Sequence, residues 1–163
     1  MLTVAQQNYL YAIGKTATIA SGVVKGGEGQ YADDFSNPNA VNNFRVFVKK
    51  EISNLVDHKI NKSYSRAYNP RYLLKGQQAL NYKLNGYRGT VEDFQYLKEE
   101  AAERKLTLEQ MANLIISAAN TDNAGAASLE KRRIKMNLAL DAASTIEDVN
   151  TIWRQAEIDI EAL

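Results

Sequence analysis

The chain has 163 residues, 45% of them hydrophobic, and a formal net charge of +1. That is enough length for one domain with a real core and a short appendage, and the charge gives no overall push toward nucleic acid or membrane. The absence of Cys and the single His, His58, exclude disulfides and thiolate metal sites and argue against a His-based metal site or a Ser-His nucleophile.

The opening run MLTVAQQNYLYAIGKT lacks both a basic leader and a long apolar stretch. No apolar run approaches the roughly 20 residues of a membrane span. The sequence therefore reads as a soluble chain made in a cytoplasm. Val4, Leu10, Ile13, Ala17 and Ala20 predict a short helix over 4–20. Gly22, Gly26, Gly27 and Gly29, with Asp33, Asp34, Asn37 and Pro38 behind them, break regular structure, so 21–38 reads as a loop or hinge. The β-branched run Thr16 to Val24 also admits a strand. The glycines do not match the phosphate-loop pattern GxxxxGK[ST] and read as flexibility. The expected division is an N-terminal arm with a Gly-rich hinge over 1–38 and a helical bundle over 39–163.

From Asn39 the period is helical. Val41, Phe44, Val48, Ile52, Leu55, Val56 and Lys59 or Ile60 form one apolar stripe, with Asn37 or Asn39 as its cap. His58 falls in the polar arc of this helix, beside Asp57 and Lys59, and reads as a surface residue. Asn69-Pro70 is read as a stop, because Pro disfavours helix at the residue before it.

Three later starts are marked by Thr-x-x-acid or Thr-x-x-amide patterns: Thr90-Val-Glu-Asp, Thr107-Leu-Glu-Gln and Thr145-Ile-Glu-Asp. Each offers a capping box, with acids in the first turn that suit the helix dipole. Helices near 90–104, 107–120, 124–143 and 145–162 are expected from these starts, and the Ala-rich run Ala124 to Ala143 favours close helix contacts. The fold class is mainly α, an irregular bundle of about six helices joined by short connections. Trp153, with Ile146, Val149, Ile152 and Ala156, reads as a core or subunit-contact anchor.

Charge is unevenly distributed. Residues 45–88 carry ten Lys or Arg against two acids, a net of +8, whereas 89–163 carry eight basic residues against fourteen acids, a net of −6. Within the basic part Tyr64, Tyr68, Tyr72, Tyr82 and Tyr87 alternate with Lys62, Arg66, Arg71, Lys75, Lys83 and Arg88. Cations between aromatic faces could grip a single strand of nucleic acid, with Tyr64, Arg66, Tyr68, Arg71 and Tyr72 as contacts. The competing reading is pairing of the basic and acidic halves, within the chain or head to tail between copies, or plain solvation. A nucleic-acid binder more often shows a net basic domain, so pairing or solvation is preferred.

Glu99, Glu100 and Glu103, near Asp93, are imaginable as an acid–base set, but they lie among Lys98, Arg104 and Lys105 on a face predicted to be exposed. A catalytic pair needs facing carboxyls in a cleft. No catalytic centre, metal or cofactor is assigned. Nine of the thirteen Phe and Tyr residues are Tyr, an amphipathic ring suited to interfaces half apolar and half wet.

One segment carries a pattern of its own. Gly76 and Gln77, then Tyr82 and Lys83, are followed by Asp93, Tyr96, Leu97, Glu100 and Ala101, and then by Thr107, Met111, Ala112 and Ile115. This run, Leu74 to Ile116, resembles the helical C-terminal region of small tail-associated proteins of tailed bacteriophages, found near tail-fibre and baseplate proteins. The chain departs from that pattern at Asn85-Gly86, where the pattern has Glu-Ala, and lacks a Pro near the Asp; residues 1–60 lie outside the resemblance. The resemblance implies a non-enzymatic structural protein of the virion tail that links or braces fibre and baseplate components within an oligomer or larger assembly. A tail-fibre assembly chaperone absent from the virion is the alternative. Either would be synthesised in the host cytoplasm and have other phage proteins as partners, with no membrane. The arm would dock on a neighbour through Leu2, Val4, Leu10 and Ile13.

Overall fold

The computed structural model describes residues 2–15, 28–89 and 94–162. Among them are seven α-helices and no strand: α1 (Val4–Ala12), α2 (Ala32–Phe35), α3 (Ala40–Ser63), α4 (Pro70–Leu84), α5 (Gln95–Glu103), α6 (Leu108–Ala142) and α7 (Ile146–Glu161). Short 3-10 turns occupy Glu28–Tyr31 and Ser65–Ala67. The protein is a mainly α helical bundle. It divides into two compact units, one of Met1–Lys59 with Leu129–Leu163 and one of Ile60–Ser128, so the units do not separate at residue 38. The candidate strand Thr16–Val24, the glycines at 22, 26 and 27, the Thr90 helix start and Asp93 lie outside the described residues.

In the first unit α3 follows its predicted stripe. Phe44, Val48, Ile52 and Val56 are buried at four-residue steps, which keeps them on one face. Helix α7 buries Ile146, Val149, Trp153, Ala156 and Ile160. The Trp153 ring meets Phe44 and Phe47 edge to face, with centroids 6.1 and 5.6 Å apart. Such pairs contribute about 0.5–1.5 kcal/mol each beyond the area they bury. The capping box at Thr145 forms as predicted: its hydroxyl accepts from the Asp148 N–H at 3.0 Å, and the Asp148 carboxylate accepts from the Thr145 N–H at 3.0 Å. These bonds, with those from Ser144, hold the Asp148 carboxyl below its ordinary range.

Residues expected to form an arm belong to this unit. Thr3 caps α1 in a box with Gln6. Helix α1 packs against α7. Tyr9 and Leu10 are buried, and the Asn8 Nδ2 donates to Asn150 Oδ1 at 2.7 Å. The helix ends well short of residue 20 because Gly14 takes φ +75° and the Lys15 N–H bonds back to the Leu10 carbonyl at 2.8 Å. The described part of the expected loop is also helical: α2 follows the turn at Glu28–Tyr31, and Phe35 packs against Tyr9 with centroids 6.3 Å apart.

The second unit holds α4, α5 and the first part of α6. Helix α4 is absent from the predicted elements, because Asn69-Pro70 reads as a stop. Here the pair is a start: the Asn69 side chain accepts from the Arg71 N–H at 3.0 Å and Pro70 occupies the first turn. Pro suits that position, where its missing N–H would have no intrahelical partner. Ala79, Tyr82, Phe94, Leu97, Ala101, Met111 and Ala112 form the core. Tyr82 anchors it, edge-on to both Phe94 (5.2 Å) and Tyr87 (5.7 Å). At the end of α5, Lys105 adopts φ +55° and Thr107 then opens α6 with the predicted capping box to Gln110, at 3.1 and 2.9 Å. The sequence predicts a break between 120 and 124, but α6 runs through it without interruption.

Candidate functional site

Two contacts carry α6 across that expected break. Asp122 is 3% exposed and receives a bidentate fork from Arg66, with Nε to Oδ2 at 2.7 Å and Nη2 to Oδ1 at 2.9 Å. The fork matches the planar carboxylate, a geometry that only Arg supplies. One turn on, the Tyr64 ring lies against the helix backbone at Gly125, where an added Cβ would fall 2.3 Å from Tyr64 Cε1. Glycine is required there because the ring fills the space a side chain would need.

A second mid-helix glycine behaves in the opposite way. At Gly76 of α4 an added Cβ would meet nothing within 4 Å. The open space is a groove of about 510 Å³ lined by α4 and α6. Leu73 and Leu80 form its α4 wall, Leu114, Ile115 and Ala118 its α6 wall, and the buried Met111 is among its lining residues. Leu73, Leu80 and Leu114 are 53%, 47% and 46% exposed, so the walls remain half wet. Helix α4 is amphipathic in two senses at once: Ala79 and Tyr82 face the unit's core, while Leu73, Leu80 and Leu84 stay exposed. The volume falls within the range of roughly 300–1,000 Å³ found for ligand sites.

Charged groups gather among the groove's lining. Glu100 of α5 accepts from Lys75 Nζ at 2.6 Å and from Arg104 Nη2 at 2.9 Å. The hydrogen bond from Lys75, helped by the charges of Lys75 and Arg104, holds the Glu100 carboxyl below its ordinary range against the opposing effect of burial. Lys75 also sits 5.5 Å from the Tyr72 ring centroid, within cation–π range. Two cations thus share one carboxylate. Glu99 and Glu103 are exposed, as their neighbours suggest, whereas Glu100 is turned into this network.

The sequence-predicted contact residues are scattered. Leu2 and Leu10 are buried in the first unit, Ile13 is half-buried and Val4 is 49% exposed. Trp153 is buried core. In the second unit Tyr64 covers Gly125 and Arg66 is held by Asp122, which leaves Tyr68, Arg71 and Tyr72 exposed. Only Arg66 and Tyr72 of the ten line the groove. Sequence reasoning missed Leu73, Leu80 and Leu114; the available signal was the Leu73-to-Leu80 spacing, which puts both on one helix face around Gly76. His58 is exposed, and among the described residues no group of three His, Cys, Asp or Glu side chains could hold a metal ion. No helix among the described residues is long and apolar enough to cross a membrane.

The opposed charge blocks do meet within the chain. Lys49 reaches Asp141 at 2.6 Å in the first unit, and Arg66–Asp122 and Lys75–Glu100 lie in the second. No family model matches the chain, and neither curated proteins nor solved structures give a significant match.

Proposed function

We propose that this chain is a non-enzymatic structural protein of a bacteriophage tail, joining fibre and baseplate components through protein–protein contacts. The observation that carries the interaction role is the open apolar groove of the second unit, whose exposed Leu73, Leu80 and Leu114 stand beside Tyr72. Apolar side chains grouped this way around a concave surface mark binding sites rather than ordinary surface. The resemblance of Leu74 to Ile116 to tail-associated proteins supplies the phage context. Tyr richness is in keeping with contacts that are half apolar and half solvated.

The test is mass spectrometry of phage particles purified from cells that make the chain. A fixed stoichiometry in the mature particle supports the structural role. Presence with fibre proteins in lysates but not in particles assigns the chain to fibre assembly instead, and absence from both rejects the phage reading. The nucleic-acid reading would require Tyr64 and Arg66 to leave Gly125 and Asp122. It predicts binding of a labelled single-stranded oligonucleotide that falls steeply with salt. No binding at low salt removes it.

A further inference from the structure

We infer that the groove between α4 and α6 receives one amphipathic, acidic helix from a partner protein; this deepens the interaction role proposed above and rests on it.

Shape comes first. Leu73 and Leu80 are seven residues apart on α4, which places them about 10.5 Å apart along the helix. Gly76 lies between them and leaves the helix backbone uncovered. A glycine inside a helix costs roughly 0.5–1 kcal/mol relative to Ala. At Gly125 that cost has an internal reason, the Tyr64 ring; at Gly76 nothing in the protein occupies the space. A compact apolar molecule seated in the groove would leave the outward faces of Leu73, Leu80 and Leu114 in water. A helix laid along α4 covers all three, with its own apolar residues at i, i+3 or i+4, and i+7 interleaving with them.

Charge then selects the partner. Helix α4 carries Arg71, Lys75 and Lys83 and no Asp or Glu. The groove's lining includes Arg66, Lys75 and Arg104 with Glu100; the Arg66 guanidinium is already paired with Asp122, whereas Lys75 and Arg104 share the one Glu100 carboxylate and each keeps further donors. A second copy meeting this groove would set the surplus cation of one Lys75–Arg104–Glu100 cluster against the same cluster of the other, which opposes a symmetric homodimer here. Carboxylates flanking the partner's apolar stripe would complete the hydrogen bonding of Lys75 and Arg104.

The experiment uses the full chain and a yeast-displayed library of randomised helical peptides, selected on the wild type alone, with the winners then titrated against Gly76→Phe and Gly76→Ala. The Phe variant projects into the groove from a position where an added Cβ meets nothing within 4 Å, and Phe is a better helix former than Gly, so the fold should be kept; circular dichroism checks this. The expected winners are rich in Asp and Glu and carry Leu or Ile at i, i+3 or i+4, and i+7. Their Kd should rise at least tenfold for Gly76→Phe, stay unchanged for Gly76→Ala, and rise with added salt. Winners that are basic, that lack the apolar spacing, or that bind Gly76→Phe equally well overturn the inference. So does a concentration-dependent dimer that Gly76→Phe abolishes, which would assign the groove to a second copy. Loss of groove-dependent binding together with normal incorporation into particles sinks this inference alone; groove-dependent binding without any association with particles sinks the phage role alone.

Discussion

In the first unit Tyr9, Leu10, Phe44, Leu140 and Trp153 are all buried, and the exposed large apolar side chains, Val4, Val46, Ile134, Leu138 and Ile158, are spread over four helices. In the second unit Tyr82, Leu97 and Met111 are buried, yet Tyr72, Leu73, Leu80 and Leu114 remain exposed around one groove. The first unit is closed by its own residues. The second uses one face of α4 for its core and leaves the other unpartnered. Burial of similar side chains is therefore set by whether a facing element exists, and the difference is read as function because exposed apolar groups scattered singly need no explanation while grouped ones do.

The contrast can be broken by truncation. Trp153→Ala, which empties the aromatic cluster with Phe44 and Phe47, should cost about 3–5 kcal/mol. Leu80→Ala on the groove wall should stay within about 0.5 kcal/mol. Urea unfolding monitored by circular dichroism measures both, and equal losses would erase the distinction between a closed and an open unit. The next largest effect tests the Arg66–Asp122 fork. Arg66→Ala strands a carboxylate that is 3% exposed and should cost about 3 kcal/mol. Asp122→Ala leaves a guanidinium that already reaches water and should cost only about 1 kcal/mol. The reverse order would show that Asp122 finds solvent on its own.

The two helical glycines sharpen the comparison within the second unit. Gly76→Ala should stabilise by about 0.5–1 kcal/mol, the ordinary gain for a helix interior. Gly125→Ala should destabilise by about 1–3 kcal/mol, since the Tyr64 ring must move. In a Tyr64→Ala background that same change should turn stabilising. The smallest effect is one of pH. Because its folded carboxyl is held below the ordinary range, Glu100 contributes stability that is present above its unfolded value of about 4.3 and is lost as pH falls through the lowered folded value. Thermal melts of Glu100→Gln should decline less than wild type below about pH 4.3; parallel decline would remove Glu100 from the acid response.

Much of the first unit was legible in the sequence. The α3 stripe at Phe44, Val48, Ile52 and Val56 and the cap at Thr145, like the Thr107 cap of the second unit, are local signals, and local physics decided them. The Thr3–Gln6 box shows the same pattern and was readable too. The misses have physical causes. Asn69-Pro70 can end one helix and open the next, since Pro restricts the residue before it yet suits a first turn. Only the second role leads to α4. The gap expected between 120 and 124 holds Asp122, and Gly125 lies just beyond it; the partners that cover these two poor helix formers, Arg66 and Tyr64, lie 56 and 61 positions away. Nothing local signals that they will be covered. The groove was hidden for a related reason, since Leu73, Leu80 and Leu114 look like core residues until the positions of α4 and α6 leave them outside it.

The most direct test compares the leucine methyls of the two units in solution. Selectively labelled methyl groups are observed by nuclear magnetic resonance while a soluble nitroxide is added, so that broadening reports contact with solvent. Strong broadening is expected at Leu73, Leu80 and Leu114, and little at Leu10, Leu129 and Leu140. Protection of Leu80 and Leu114 equal to that of Leu140 would mean that the groove is covered, and the second unit would then hold no open site for a partner.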